Sequence, residues 1–378
     1  MTESPTPGVQ DSSARGVSHW AMLATALGVV VATGMMLARM VLQVRLSEQG
    51  TAVPPSLLGF HRVFALLGTS LCLLWLAPND AERGRARSAF SLLFILGAAT
   101  IVDQSATAPG YGASLGVLGG IGLALWLLRA GVRSWRSAVA SCAALCLALI
   151  WARVAGGRAE AVDAAMPVVA AAALLAPVVS GWPRVSRVAA IASMLYSTST
   201  AALAVSTSPL LHAWLVHPQR YAGLLLAALC LRAAAQQSTA WSRWLTGATA
   251  ILFFQAVALQ LYATVNAQQL NLQQSLVPVA VLHFYALAIV TVLMLSLKRA
   301  GRTLAGWLGL LGTLIGAHLW CWAHVQLAFS GQARRVLFHG ADALASIEQR
   351  GMQAAMVMSA GLFLVAIAQL FATPAQKP

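Results

Sequence analysis

Acid is what this chain has least of. Ten Asp and Glu occur in 378 residues, and charged residues of both signs make up only 9%. Few of the acids fall in apolar sequence: Asp103 sits at the end of an apolar run, and Asp163, Asp342 and Glu348 read as lying in or beside loops. A transporter that couples protons or cations to mid-membrane carboxylates needs ionisable acids there, and the sequence argues against that class. Cysteine is also scarce. All five (Cys72, Cys142, Cys146, Cys230, Cys321) fall inside apolar runs, so no disulfide framework of paired loop cysteines is expected. Cys142 and Cys146 stand one helical turn apart and have the spacing to share a metal, although small buried core residues are the favoured reading. There is no Gly-rich phosphate loop, no His-Glu-x-x-His, no defensible Ser-His-Asp set, and no repeat or long linker that divides the chain. The start lacks a basic segment joined to a short apolar core, so no cleaved signal peptide is expected.

Apolar residues dominate what is present. They make up 59% of the chain and fall into about twelve runs, each near the roughly 20 residues that cross a bilayer as a helix. Only helices and closed barrels satisfy their backbone in lipid, and runs of this length predict helices. The expected fold is an all-α, polytopic membrane bundle with spans near 18–42, 57–77, 88–103, 114–129, 137–154, 162–180, 186–204, 221–236, 242–264, 275–297, 304–329 and 351–372. Residues 18–372 form one transmembrane domain in this reading, with a polar, disordered tail over 1–17 and a short tail over 373–378. The formal charge of +14 would suggest nucleic acid in a soluble protein. Here the cations sit in alternate loops, at Arg83–Arg87, Arg129–Arg136, Arg184 with Arg187, Arg232 with Arg243, and Lys298–Arg302. That pattern reads as membrane orientation, with both termini cytoplasmic in a bacterial-type plasma membrane. The expected partner is the lipid bilayer, and no nucleic acid.

Histidines carry the chemistry the sequence offers. His61, His212, His217, His283, His318, His324 and His339 fall in or next to spans, where a histidine is either hydrogen-bonded or a ligand. His283 stands out, in Leu282-His283-Phe284-Tyr285 on the tenth span. By the charge pattern it lies on the same membrane side as Arg334 and Arg335, which follow the eleventh span. An axial histidine with two cations placed for propionates is what a haem requires. Interfacial anchoring is the plainer reading of those arginines. His318 and His324 are six apart on one helix and point to different faces, so packing is favoured for them, with Trp320 and Trp322 marking an aromatic-rich end. Gln255, Gln260, Asn266, Gln268, Gln269 and Asn271 make 255–274 unusually polar, as a cavity lining or a bent helix end would be.

These residues bring out a family likeness. The stretch Val281-Leu282-His283-Phe284-Tyr285-Ala286-Leu287 resembles the His-Phe-His-Tyr helix of haem-copper oxidase subunit I. Gly306 to Gly316, with Ile315-Gly316 in register, resembles the loop and helix that follow, and Gly331-Gln332-Ala333-Arg334-Arg335 resembles the family's Gly-Met-Pro-Arg-Arg. Near the start, Leu46-Ser47-Glu48-Gln49-Gly50 resembles the end of its first helix. Phe60-His61-Arg62-Val63-Phe64-Ala65-Leu66-Leu67-Gly68-Thr69 resembles its second-helix stretch. The likeness covers both ends and is poor in the middle.

The resemblance implies a twelve-helix oxidase-like bundle, and also implies loss of its chemistry. Leu67 and Tyr285 stand where the family's two low-spin haem ligands would be, so that haem is not expected. His217-Pro218-Gln219-Arg220-Tyr221 resembles the copper-site His-Pro-Glu-Val-Tyr, but by helix count it opens the eighth span rather than the sixth. Counting helices places Ser208-Pro209 at the paired copper histidines, and the chain has no adjacent histidine pair, so copper is not expected. His283 remains as the high-spin haem ligand, with Arg334 and Arg335 at the propionates and His61, about two turns from Leu67, as a substitute axial ligand. The implied protein is a non-catalytic, sensory or assembly subunit beside other oxidase-like membrane subunits, holding at most one haem. The alternatives are an active terminal oxidase or nitric oxide reductase with rearranged ligands, and a cofactor-free transporter.

Overall fold

The computed structural model describes residues 117–122, 124–125, 135–156, 159–265, 277–295, 297–330 and 342–371. Among them the chain is all-helical and has no strand. Eight long helices follow in order: α1 (Trp135–Ala155), α2 (Ala165–Gly181), α3 (Ser186–Val205), α4 (Pro209–Ala234), α5 (Ala240–Val265), α6 (Val277–Met294), α7 (Leu304–Phe329) and α8 (Asp342–Phe371). Five stretches are long and apolar enough to cross a membrane: Pro183–Val205, Ala240–Ala263, Val277–Met294, Leu304–Phe329 and Ser346–Phe371. Ala138–Val154 and Ala165–Gly181 are apolar but shorter. The chain is therefore a helical protein built for a bilayer. The spans expected at 18–42, 57–77 and 88–103, and most of 114–129, lie outside the described residues.

A helix that is apolar all round belongs inside a bundle, and α2 is that helix. Its Ala- and Val-rich sequence is buried on nearly every side among α1, α3, α4 and α6. Alanines let these backbones approach, and the Ser193 hydroxyl donates to Ala171 O at 2.8 Å to tie α3 to α2. On its own far side α6 meets α5, where the buried Thr249 and Thr291 hydroxyls lie 2.8 Å apart.

α8 packs along the length of α7, and glycine sets how closely. A Cβ at Gly361 would fall on Thr313 N and Gly309 O, and one at Gly316 on Met358 N and Ala354 O. The two backbones touch there, as small residues spaced by a turn allow between membrane helices.

Three basic connections share one end of the bundle. The Trp241 indole donates to Met294 O at 3.2 Å, and Gln237 Nε2 donates to Pro177 O at 2.9 Å. These bonds bring the α2–α3, α4–α5 and α6–α7 connections together. Gln369 Oε1, near the end of α8, accepts from the backbone N–H groups of Arg299 and Ala300, each at 3.1 Å. The alternate loops carrying Arg184, Arg243 and Lys298–Arg302 are thus adjacent in space, as the charge pattern predicts. Arg232 joins them, its guanidinium 5.7 Å from the Trp182 ring centre.

Two boundaries differ from the sequence reading. The span expected at 221–236 is the second half of a longer helix that begins at Pro209. Ser208 caps it, accepting from Leu211 N–H at 3.4 Å, and Pro209 suits the first helical position because its missing N–H has no partner to lose there. The polar run His212 to Arg220 masked this start. The helix of the last span, expected at 351–372, likewise begins earlier, at Asp342, which places Asp342 at its first position and Glu348 inside it.

Candidate functional site

Pro278 in the first turn gives α6 a defined start, and the helix then sends two neighbouring side chains in different directions. His283 and Tyr285 are two apart, about 200° around the axis, and they enter separate clusters.

His283 turns toward α7. Its Nδ1 lies 2.7 Å from Val279 O. A carbonyl only accepts, so Nδ1–H is the donor and the lone pair of the neutral ring sits on Nε2, the tautomer of an Nε2 metal ligand. Trp320 stands edge-on to the imidazole with ring centres 4.1 Å apart, and the His324 ring lies 5.5 Å away, tilted by 31°. His324 is fixed in the same way, its Nδ1 donating to Trp320 O at 2.9 Å. His318 donates from Nδ1 to Leu314 O at 2.9 Å, and its ring faces Phe284 at 6.3 Å. The two α7 histidines do approach different neighbours, but both neighbours are on α6. Trp320, read from sequence as marking an aromatic-rich span end, is a wall of the His283 cluster.

Tyr285 turns the other way and is fully buried. Its hydroxyl donates to Gln260 Oε1 of α5 at 2.8 Å and lies 2.5 Å from the hydroxyl of buried Tyr196 on α3. Because Tyr285 gives its one proton to Gln260, Tyr196 is the donor in the tyrosine pair. Phe253 meets both rings at 5.5 Å. The site depends on Gly223 of α4, where a Cβ would come within 2.8 Å of the Tyr196 ring. Beside the pair, Gln219 Nε2 donates to Thr200 Oγ1 at 2.9 Å, and the Thr200 hydroxyl donates to Tyr196 O at 2.7 Å.

His212 and His217 sit on the exposed first half of α4, where the His217 ring stacks on Tyr221 at 6.5 Å. Cys142 and Cys146 border an apolar groove of about 350 Å³ against Thr198 of α3. Among the described residues no three or more His, Cys, Asp or Glu side chains gather in one place. His61, Arg334 and Arg335 lie outside the described residues.

Sequence reasoning singled out His283 but missed its partner His324, and it treated Tyr285 only as a lost ligand. It did mark the polar stretch that contains Gln260. It had no signal for Tyr196 or Thr200 beyond their being polar residues in apolar surroundings, and it met Gln219 only within the stretch His217 to Tyr221. Comparison with protein families, curated proteins and solved structures finds nothing that matches this chain.

Proposed function

We propose that this chain is an integral membrane subunit on a twelve-span frame like that of haem-copper oxidase subunit I. In this reading it does not reduce oxygen. It holds one haem through His283, takes no copper, and serves as a sensory, assembly or other non-catalytic partner of membrane subunits in a respiratory complex. Both termini face the cytoplasm of a bacterial-type plasma membrane. The supporting observation is the divergence of His283 and Tyr285. Tyr285 stands where the resemblance calls for a low-spin haem ligand, and its hydroxyl is committed to Gln260 and Tyr196 inside a buried helix interface. His283 keeps the tautomer an axial ligand needs, pinned by Val279 and flanked by Trp320.

His283 Nε2 is the atom that would hold the iron, since Nδ1–H is given to Val279 O. A haem bound there would supply an iron able to bind a small gas molecule. Val279 fixes the ring, Trp320 limits its rotation, and Arg334 and Arg335 are the cations assigned to the propionates. The rearranged-ligand oxidase gains only His324 among the described histidines, since His212 and His217 are exposed and His318 faces Phe284. The cofactor-free transporter draws on a specific observation of its own, two polar pairings in the bundle interior, Gln219 with Thr200 and Tyr285 with Gln260.

The test is a reduced-minus-oxidised and carbon-monoxide difference spectrum of the full chain purified in mild detergent. The wild type is expected to show one Soret band that shifts with carbon monoxide. His283→Ala is expected to lose it while keeping its helical circular dichroism. A Soret band that survives in His283→Ala removes the proposed ligand.

A further inference from the structure

Arg220 is the cation the reading above leaves unused. It follows Pro218 by two residues in α4 and is half-buried. With Gln219, Tyr196, Val257, Gln260 and Leu261 it lines a cavity of about 10 Å³. That is room for roughly one water-sized atom. The walls come from α3, α4 and α5, and Tyr196 is the member of the tyrosine pair that lines it.

The chemistry of those walls is lopsided. Gln260 has its acceptor Oε1 committed to Tyr285, with the Tyr196 hydroxyl 3.5 Å from the same atom. Gln219 is buried and uses one of its two N–H groups on Thr200 at 2.9 Å. Arg220 adds a guanidinium with five donors and no acceptor. Among the described residues it makes no ion pair, and the acids there, Glu160, Asp163, Asp342 and Glu348, stand on other elements. A guanidinium half-buried between these helices, with no carboxylate paired to it among the described residues, favours an anion brought from outside.

We propose that this chamber is an oxyanion site: one oxygen of a phosphate or carboxylate group enters between Arg220 and Gln219, against the Tyr196 ring and Gln260. Charge-assisted hydrogen bonds from a guanidinium are the strong ones in such a setting. The bilayer presents this chemistry as a lipid phosphodiester, and the solvent presents it as free phosphate or a small carboxylate. The site does not rest on haem at His283. It should bind equally in His283→Ala, so failure of one proposal leaves the other standing.

The experiment uses the full chain in mild detergent, with two readouts. Native mass spectrometry measures retention of phosphatidylglycerol. Near-ultraviolet difference absorption follows the Tyr196–Tyr285 pair during titration with phosphate, acetate or phosphatidylglycerol. Arg220→Gln is expected to lower binding about tenfold and to abolish the tyrosine signal. Arg232→Gln, an exposed arginine at the basic end, should leave both unchanged. Gln219→Leu, which keeps the cation, gives a second reading if Arg220→Gln fails to fold, and it should also lose the signal. A response to phosphatidylglycerol alone identifies a lipid headgroup as the source, and a response to phosphate or acetate identifies a soluble anion. Binding and spectra that are the same in wild type, Arg220→Gln and Gln219→Leu overturn the site.

Discussion

Gly361→Leu is expected to destabilise the protein by about 3 kcal/mol, at the upper end of what overpacking costs. The cost is high because the obstacle is backbone. A side chain at position 361 meets Thr313 N and Gly309 O, and no rotamer change moves those atoms aside. The helices must separate, which loosens the dispersion contacts that hold membrane helices together, since lipid gives no hydrophobic drive between them. Gly316→Leu is expected to act alike from the other side, against Met358 N and Ala354 O. Gly312 is the internal contrast. A Cβ there meets Gly361 Cα and Val357 O at 3.6 Å, ordinary contact distance. Gly312→Ala is therefore tolerated and gains up to about 1 kcal/mol of helix propensity. Denaturant titration in mild detergent, followed by circular dichroism, separates the three. Equal stability of Gly361→Leu and Gly312→Ala would show that α7 and α8 do not meet backbone to backbone.

Tyr285→Ala is expected to cost about 3–5 kcal/mol, the range for emptying a buried aromatic position. The ring is fully buried against Phe253, and its loss also leaves Tyr196 without its acceptor at 2.5 Å. Tyr285→Phe keeps the ring, and the Tyr196 hydroxyl can then move onto Gln260 Oε1, 3.5 Å away. Its cost should be about 1 kcal/mol, that of one hydrogen bond between membrane helices. The pair of variants also separates structure from cofactor chemistry. If Tyr285 is a packing post rather than a ligand, Tyr285→Phe leaves the Soret band of the wild type unchanged. A band lost or shifted in Tyr285→Phe would put the tyrosine at the haem after all.

The sequence reads best where apolar runs are cleanly bounded. α7 begins and ends at the residues expected from its apolar run, because Thr303 caps its start and the polar Ser330-Gly331-Gln332 follows its end. α3 ends one residue beyond expectation, at Val205. Hydropathy fails where polar residues sit inside a helix. Residues His212, His217, Gln219 and Arg220 make the first half of α4 look like loop. Glu348, Gln349 and Arg350 hid the first turns of α8 in the same way. Within the site, the spacing of His283 and Tyr285 was legible as two directions on one helix. What each side chain met was not. Tyr196 is 89 residues from Tyr285, and Gln260 is 25 away. A pairing at that separation is set by how α3, α5 and α6 pack, and no local pattern announces it. The tautomer of His283 was equally hidden, since it depends on a carbonyl of the helix's own backbone.

The most direct test of the central claim is stoichiometry on the wild-type chain from haem-sufficient cells: pyridine haemochrome for haem, elemental analysis for copper. One haem per chain and no copper is the result expected from a lone axial histidine at position 283 and a tyrosine at 285. Two haems with copper would contradict it and restore an oxygen-reducing enzyme. Absence of haem would contradict it from the other side and leave the cofactor-free transporter.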